Sequence, residues 1–173
     1  ELTTDEQSRW LNSGRIDVGF VRPPVDKDIY NSKIVFQESL IIALPENHPL
    51  ANQEKVSLSS LINESFILFP RFLAPGLYDL IISFCQQFGF SPKLAQEAIQ
   101  MQTIVSLVAA EIGVAIVPES LQNLQRRGVV YKYFVEETPK VSVAMIWRKN
   151  NVSVVLDRFL RVAQEVACAY PNL

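Results

Sequence analysis

Apolar positions along this chain switch between a helical period and a strand period, and glycine or proline stands at most of the switches. The first helical repeat carries Leu2, Trp10 and Leu11 and opens at two threonines. Thr3 or Thr4 can cap it, Asp5 and Glu6 suit its positive end, and Gly14 ends it. A strand is predicted over 16–21, with an apolar character that implies burial on both faces, as in a parallel sheet. Arg22 follows, and Pro23-Pro24 stop the chain from pairing further. Strands are predicted over 34–36 and 39–44, then a turn at 47–50, a short helix over 58–61 introduced by Ser57, and a buried strand over 66–69 closed by Pro70. The second half repeats the alternation. A helix over 75–88 places Leu77, Leu80, Ile81, Phe84, Cys85 and Phe88 at helical spacing and stops at Gly89. A strand over 94–98 follows, then an apolar helix over 101–111 with Gly113 just past it, and a strand over 114–117 ending at Pro118. A helix over 119–127 stops at Gly128, strands cover 129–135 and 141–147, and an amphipathic helix over 154–169 closes the pattern. Strands alternating with helices predict an α/β fold. The ends at Val21-Arg22-Pro23, Phe69-Pro70 and Val117-Pro118 are expected to deliver their loops to one rim.

Composition narrows the chemistry. A net charge of -2 argues against a large nucleic-acid face within these residues. No apolar run is long enough to span a membrane. Cys85 and Cys168 lie far apart in apolar helical patterns and read as buried free thiols of a reducing compartment, with a single disulfide as the alternative. His48 is the only histidine, and its polar turn beside Pro49 suits capping or solvation better than catalysis. One histidine and two distant cysteines give no zinc spacing. Neither a nucleophile elbow nor a glycine-rich phosphate or dinucleotide loop occurs, and no pair of carboxylates forms an acid/base dyad. A binding protein without cofactor or metal is therefore expected rather than an enzyme. Arg22 is the strongest single candidate. Ligands of open α/β sheets bind beyond the carboxyl ends of strands, and a guanidinium there can hold a carboxylate or phosphate through two parallel hydrogen bonds. A solvated surface charge is the plain alternative.

Four stretches, taken in order, carry a resemblance over essentially the whole chain. Leu2-Thr3-Thr4-Asp5-Glu6-Gln7 together with the run Gly14 to Arg22 resembles the effector-binding domain of LysR-type transcriptional regulators. The run Ile42 to Ala51, with its His48-Pro49-Leu50, resembles a further segment of that family, and Leu68-Phe69-Pro70-Arg71 before Pro75 resembles the loop that opens its second lobe. Gln102 to Pro118 resembles its helix, strand and proline stretch. The paired threonines with Gly19-Phe20-Val21-Arg22 most resemble the branch that senses muconate and benzoate.

The resemblance implies a two-lobe fold like that of type 2 periplasmic binding proteins, with two crossover strands and the ligand in the cleft. Lobe I would hold residues 1–37 and 144–173 and lobe II residues 38–143. The DNA-binding winged helix-turn-helix, and the first strand and helix of lobe I, would lie outside this chain. The implied effector contacts are Thr4, Arg22, Pro70, Arg71, Phe72, Leu77 and Gln102. A small organic acid is the implied effector. Thr4 would meet it with a hydroxyl and helix N–H groups, although a plain cap explains a threonine there as well. Phe72 and Leu77 would line the pocket, with ordinary packing as the alternative, and Gln102 reads equally as a solvated polar residue. Arg71 departs from the small polar residue of the muconate sensors and puts the effector's identity in question. The implied protein is cytoplasmic, a homodimer or homotetramer, and reaches promoter DNA through its other domain. A solute-binding receptor for transport shares this fold and is the competing class. Free cysteines and the His48-Pro49-Leu50 segment favour the regulator.

Overall fold

The computed structural model describes residues 2–169, apart from the side chain of Cys168. Contacts divide the chain into two compact units, one formed by residues up to 38 and from 141 onward, the other by Ser39–Lys140.

The first unit contains helix α1 (Thr4–Asn12), strands β1 (Gly19–Val21), β2 (Tyr30–Glu38) and β9 (Val141–Arg148), and helix α4 (Val154–Ala169). Its sheet has the order β1-β9-β2, with both pairings antiparallel. β9 is the strand covered on both sides. Ala144 and Ile146 join Leu11, Val21 and Tyr30 in one core, while Met145 joins Leu156 and Leu160 of α4 in another. The two-residue period of a strand accounts for this split. The expectation of a doubly buried parallel strand over 16–21 is corrected here: β1 is three residues long, runs antiparallel, and leaves Phe20 47 % exposed. Asp17 accepts a hydrogen bond from Asn151 rather than entering the ladder. On the outer side of β1, the Gln7 amide accepts from the Phe20 N–H at 2.7 Å and donates to its carbonyl at 2.9 Å. A side chain of α1 thus stands in for a further strand.

The second unit is built around β3 (Leu40–Pro45), all six residues of which are buried. β7 (Ala115–Pro118) and β8 (Val129–Phe134) flank it antiparallel, and β4 (Lys55–Val56) adds to β8 in parallel. β5 (Ser65–Leu68) pairs in parallel with β6 (Lys93–Glu97) and is bridged to Val114, just ahead of β7. β5 and β7 therefore run in the same direction. Helices α2 (Pro75–Gln87) and α3 (Met101–Ala109) bury Leu77, Ile81, Phe84, Cys85, Ile104, Val105 and Val108. The helix expected over 119–127 is instead a 3-10 turn, Glu119–Leu124, ended by Gln125 in a left-handed conformation. Gly14, Gly89 and Gly128 take positive φ values at the expected stops. Gly113 does not: after α3 the left-handed residue is Glu111, at φ 60°.

Candidate functional site

Just beyond a strand end, Arg22 meets a buried carboxylate. β1 stops at Val21, so Arg22 is the first residue beyond the strand, followed by a cis Pro23-Pro24 bond. Its side chain is 27 % exposed. Nη2 lies 3.6 Å from Oε1 of Glu38, the last residue of β2, whose side chain is 5 % exposed. Nη1 is fully buried and donates to no group among the described residues. Burial lowers the Arg22 pKa, and the Glu38 carboxylate offsets only part of this; a guanidinium remains charged at neutral pH throughout. A buried N–H of a charged group without an acceptor costs on the order of 1–3 kcal/mol or more, which an arriving acceptor would recover. That is the chemical character of this place: a fixed cation balanced by one buried carboxylate, with one buried donor unpartnered.

The start of α1 belongs to the same unit and is tied to it through Gln7 and Phe20, two residues before Arg22. Thr3, not Thr4, is the N-cap. Its hydroxyl accepts from the Glu6 N–H at 3.3 Å, and the Glu6 carboxylate accepts from the Thr3 N–H at 2.9 Å. Thr4 is the first helical residue, so the capping alternative falls to its neighbour. Helix geometry leaves the N–H groups of the first turn pointing outward from the N-terminus. Two acids stand beside them. The backbone N–H of Thr3 and then its hydroxyl hold the Glu6 carboxyl below its usual range, and Asp5 pairs with Arg9 at 3.3 Å.

Five of the sequence candidates lie in the second unit. Pro70 is buried just after β5, and Arg71 is exposed. The Arg71 guanidinium donates to both carboxylate oxygens of Asp79 on α2, at 2.7 and 3.0 Å. These bonds hold the Asp79 carboxyl below its usual range and raise the Arg71 pKa. Phe72 is 80 % exposed, and Leu77 is 3 % exposed within the core. Gln102 is exposed on the first turn of α3, where its carbonyl accepts from the Ser106 hydroxyl. The loop at 70–72 and Leu77 share one place at the start of α2, and Gln102 has another. Sequence reasoning missed Glu38 and Asp79. The signal for Asp79 was an acid on the exposed face of a helix near an arginine; for Glu38 it was a lone acid between two strand patterns.

His48 has a local structural task. Its Nδ1 accepts from the Leu50 N–H at 3.2 Å, capping a 3-10 turn at Pro49–Asn52, and its Nε2 lies 3.5 Å from Glu64. It borders a cavity of about 270 Å³ in the second unit that also meets Asn47, Glu64 and Glu111. Among the described residues no group of three or more His, Cys, Asp or Glu side chains is placed to hold a metal ion, and no helix is long and apolar enough to cross a membrane. Cys85 is a buried free thiol, while the Cys168 side chain lies outside the described residues.

Comparison with known proteins bears on the whole chain. The HTH-type transcriptional regulator CatR of Pseudomonas putida is 32 % identical over 167 residues, covering 96 % of this chain and 57 % of its own length. The LysR family transcriptional regulator CbnR is 26 % identical, with a TM-score of 0.85 over 96 % of this chain and 57 % of that one. The BenM effector-binding domain, solved with its effector benzoate, is 24 % identical and shares the fold at a TM-score of 0.82, over 98 % of this chain and 77 % of that one. The chain spans little more than half the length of the curated relatives it first matches. The family described as the LysR substrate binding domain matches residues 1–168, and with this fold behind the match the chain belongs to that family.

Proposed function

We propose that this chain is the effector-sensing domain of a DNA-binding transcriptional regulator, and that its effector is a small organic acid whose carboxylate is held by Arg22 and the start of α1 at Thr4. The observation that carries the reading is the buried Nη1 of Arg22, a charged donor without an acceptor beyond a strand end. A carboxylate matches it in shape, since two oxygens can meet two parallel N–H groups. Relatives named as transcriptional regulators favour this reading over a transport receptor. Promoter DNA would be reached through a helix-turn-helix of the kind those relatives' names carry, in a cytoplasmic homodimer or homotetramer. The effector acts by binding one conformation of the regulator more tightly than another; no reaction is involved. Benzoate, the effector of the BenM domain, is the first acid to try.

Isothermal titration of the full-length protein tests the proposal. Arg22→Ala weakens the cognate acid by about 2–5 kcal/mol, the range for truncating one member of a desolvated charge pair. Arg22→Lys restores part of the loss, because an ammonium cannot form two parallel bonds. If folded Arg22→Ala binds each acid as tightly as the parent, the carboxylate is held elsewhere.

A further inference from the structure

The Arg22 guanidinium could in principle receive either a carboxylate or a phosphoryl group, and its surroundings distinguish them. Resting on the reading that Arg22 anchors the effector, we infer that this anchor takes a singly charged carboxylate and rejects a phosphoryl group. The charge paired with Arg22 decides it. Arg22 brings one positive charge, and Glu38, 5 % exposed and 3.6 Å from Nη2, already balances it. The start of α1 brings Asp5 and Glu6, and among the described residues Arg9, the basic residue of the same helix, is engaged with Asp5. What remains for a ligand is hydrogen-bond donors, namely the unpartnered Nη1 and the first-turn N–H groups not taken by the Thr3 cap, rather than net positive charge.

A carboxylate adds one negative charge and two acceptor oxygens, which suits a donor pair. A phosphate monoester at neutral pH carries about 1.5 to 2 negative charges and three acceptor oxygens. The additional half to one unit of charge would sit beside a carboxylate that burial shields from solvent, where it weakens binding by at least about tenfold at a separation of several ångströms. The first-turn acids add a smaller, solvent-screened repulsion.

Benzoate and phenyl phosphate have the same aromatic body and differ in the anionic group, so titration of the full-length protein with each, at pH 7.5 and fixed ionic strength, isolates the effect. Benzoate is expected to bind at least tenfold more tightly. Glu38→Gln removes the buried charge and should shift the ratio toward phenyl phosphate by about tenfold. Asp5→Asn, at an exposed surface position, should shift it the same way by about two- to threefold, and serves if Glu38→Gln does not fold. Phenyl phosphate binding as tightly as benzoate in an Arg22-dependent manner would overturn the inference while leaving Arg22 as an anion anchor. An unchanged ratio in folded Glu38→Gln would also overturn it. If neither compound binds, nor any of a panel of other aromatic and aliphatic carboxylates, the carboxylate reading falls and this inference falls with it.

Discussion

Gly113→Ala should cost the second unit about 1.5–4.5 kcal/mol. The backbone at Gly113 is outside the left-handed region, so the penalty is steric. A Cβ added there would lie 2.5 Å from the Ser65 carbonyl oxygen and 3.1 Å from its carbon. Carbon and oxygen settle at about 3.3 Å, so about 0.8 Å of separation must be found. The Ser65 oxygen accepts from the Val114 N–H at 2.9 Å, and the Ile67 N–H donates to the Val114 carbonyl at 2.8 Å. Those two bonds attach β5 to the strand leading into β7, over the fully buried Phe66. Separating them by that distance loses at least one bond, about 0.5–1.5 kcal/mol, and strains a close-packed core, about 1–3 kcal/mol. Gly89→Ala is the control. It meets nothing within 4 Å but has φ +83°, so its cost is conformational, about 1–2 kcal/mol. Urea unfolding followed by circular dichroism should place Gly113→Ala below Gly89→Ala and both below the parent. A Gly113→Ala variant within about 0.5 kcal/mol of the parent would refute the close-approach argument.

Two further outcomes concern titrating groups. Burial pushes the Cys85 thiol up to about 12, so almost no thiolate exists at pH 8; iodoacetamide should modify the Cys85 peptide in denaturant and leave it unmodified in the native protein, as read by mass spectrometry, and equal native labelling would contradict the burial. Glu136 is raised by burial, but hydrogen bonds from the Ser57 hydroxyl, the Leu58 N–H and its own backbone together outweigh this and leave it below the usual glutamate range. A lowered folded-state pKa stabilises above the ordinary value and the gain is lost as pH falls through the lowered one. The urea midpoint of the parent should therefore exceed that of Glu136→Gln at pH 7, with the difference closing on acidification, whereas a difference independent of pH would assign it to packing.

Elements with a strong period were legible, and those set by distant partners were not. α2 could be read from Leu77, Ile81, Phe84 and Cys85 because their spacing and burial agree. β2 extends over Tyr30–Glu38, well beyond the apolar 34–36, because Asn31, Ser32 and Lys33 are exposed and carry no hydrophobic signal. Gly113 stood where a helix stop belongs, yet Glu111 made the left-handed turn and Gly113 made room for Ser65. Only a three-dimensional neighbour distinguishes the two uses of glycine. In the candidate site, Arg22 was legible from its place between a strand and two prolines. Its pairing with Glu38 was not, since β1 and β2 do not pair with each other and meet only through β9.

That sheet order also imposes a schedule on synthesis. β1 and β2 each pair with β9 alone, and β9 is encoded after the whole of Ser39–Lys140. At a translation rate of 5–20 residues per second, the first two strands emerge roughly 5–20 s before any ladder is open to them. The intervening unit is contiguous and can complete its own sheet in that interval. The nine-residue β2 segment must meanwhile wait without its partner, its backbone groups unpaired by any ladder, the condition that invites association between chains. The polar run Asn31-Ser32-Lys33, silent as a strand signal, is what a strand kept waiting in water requires.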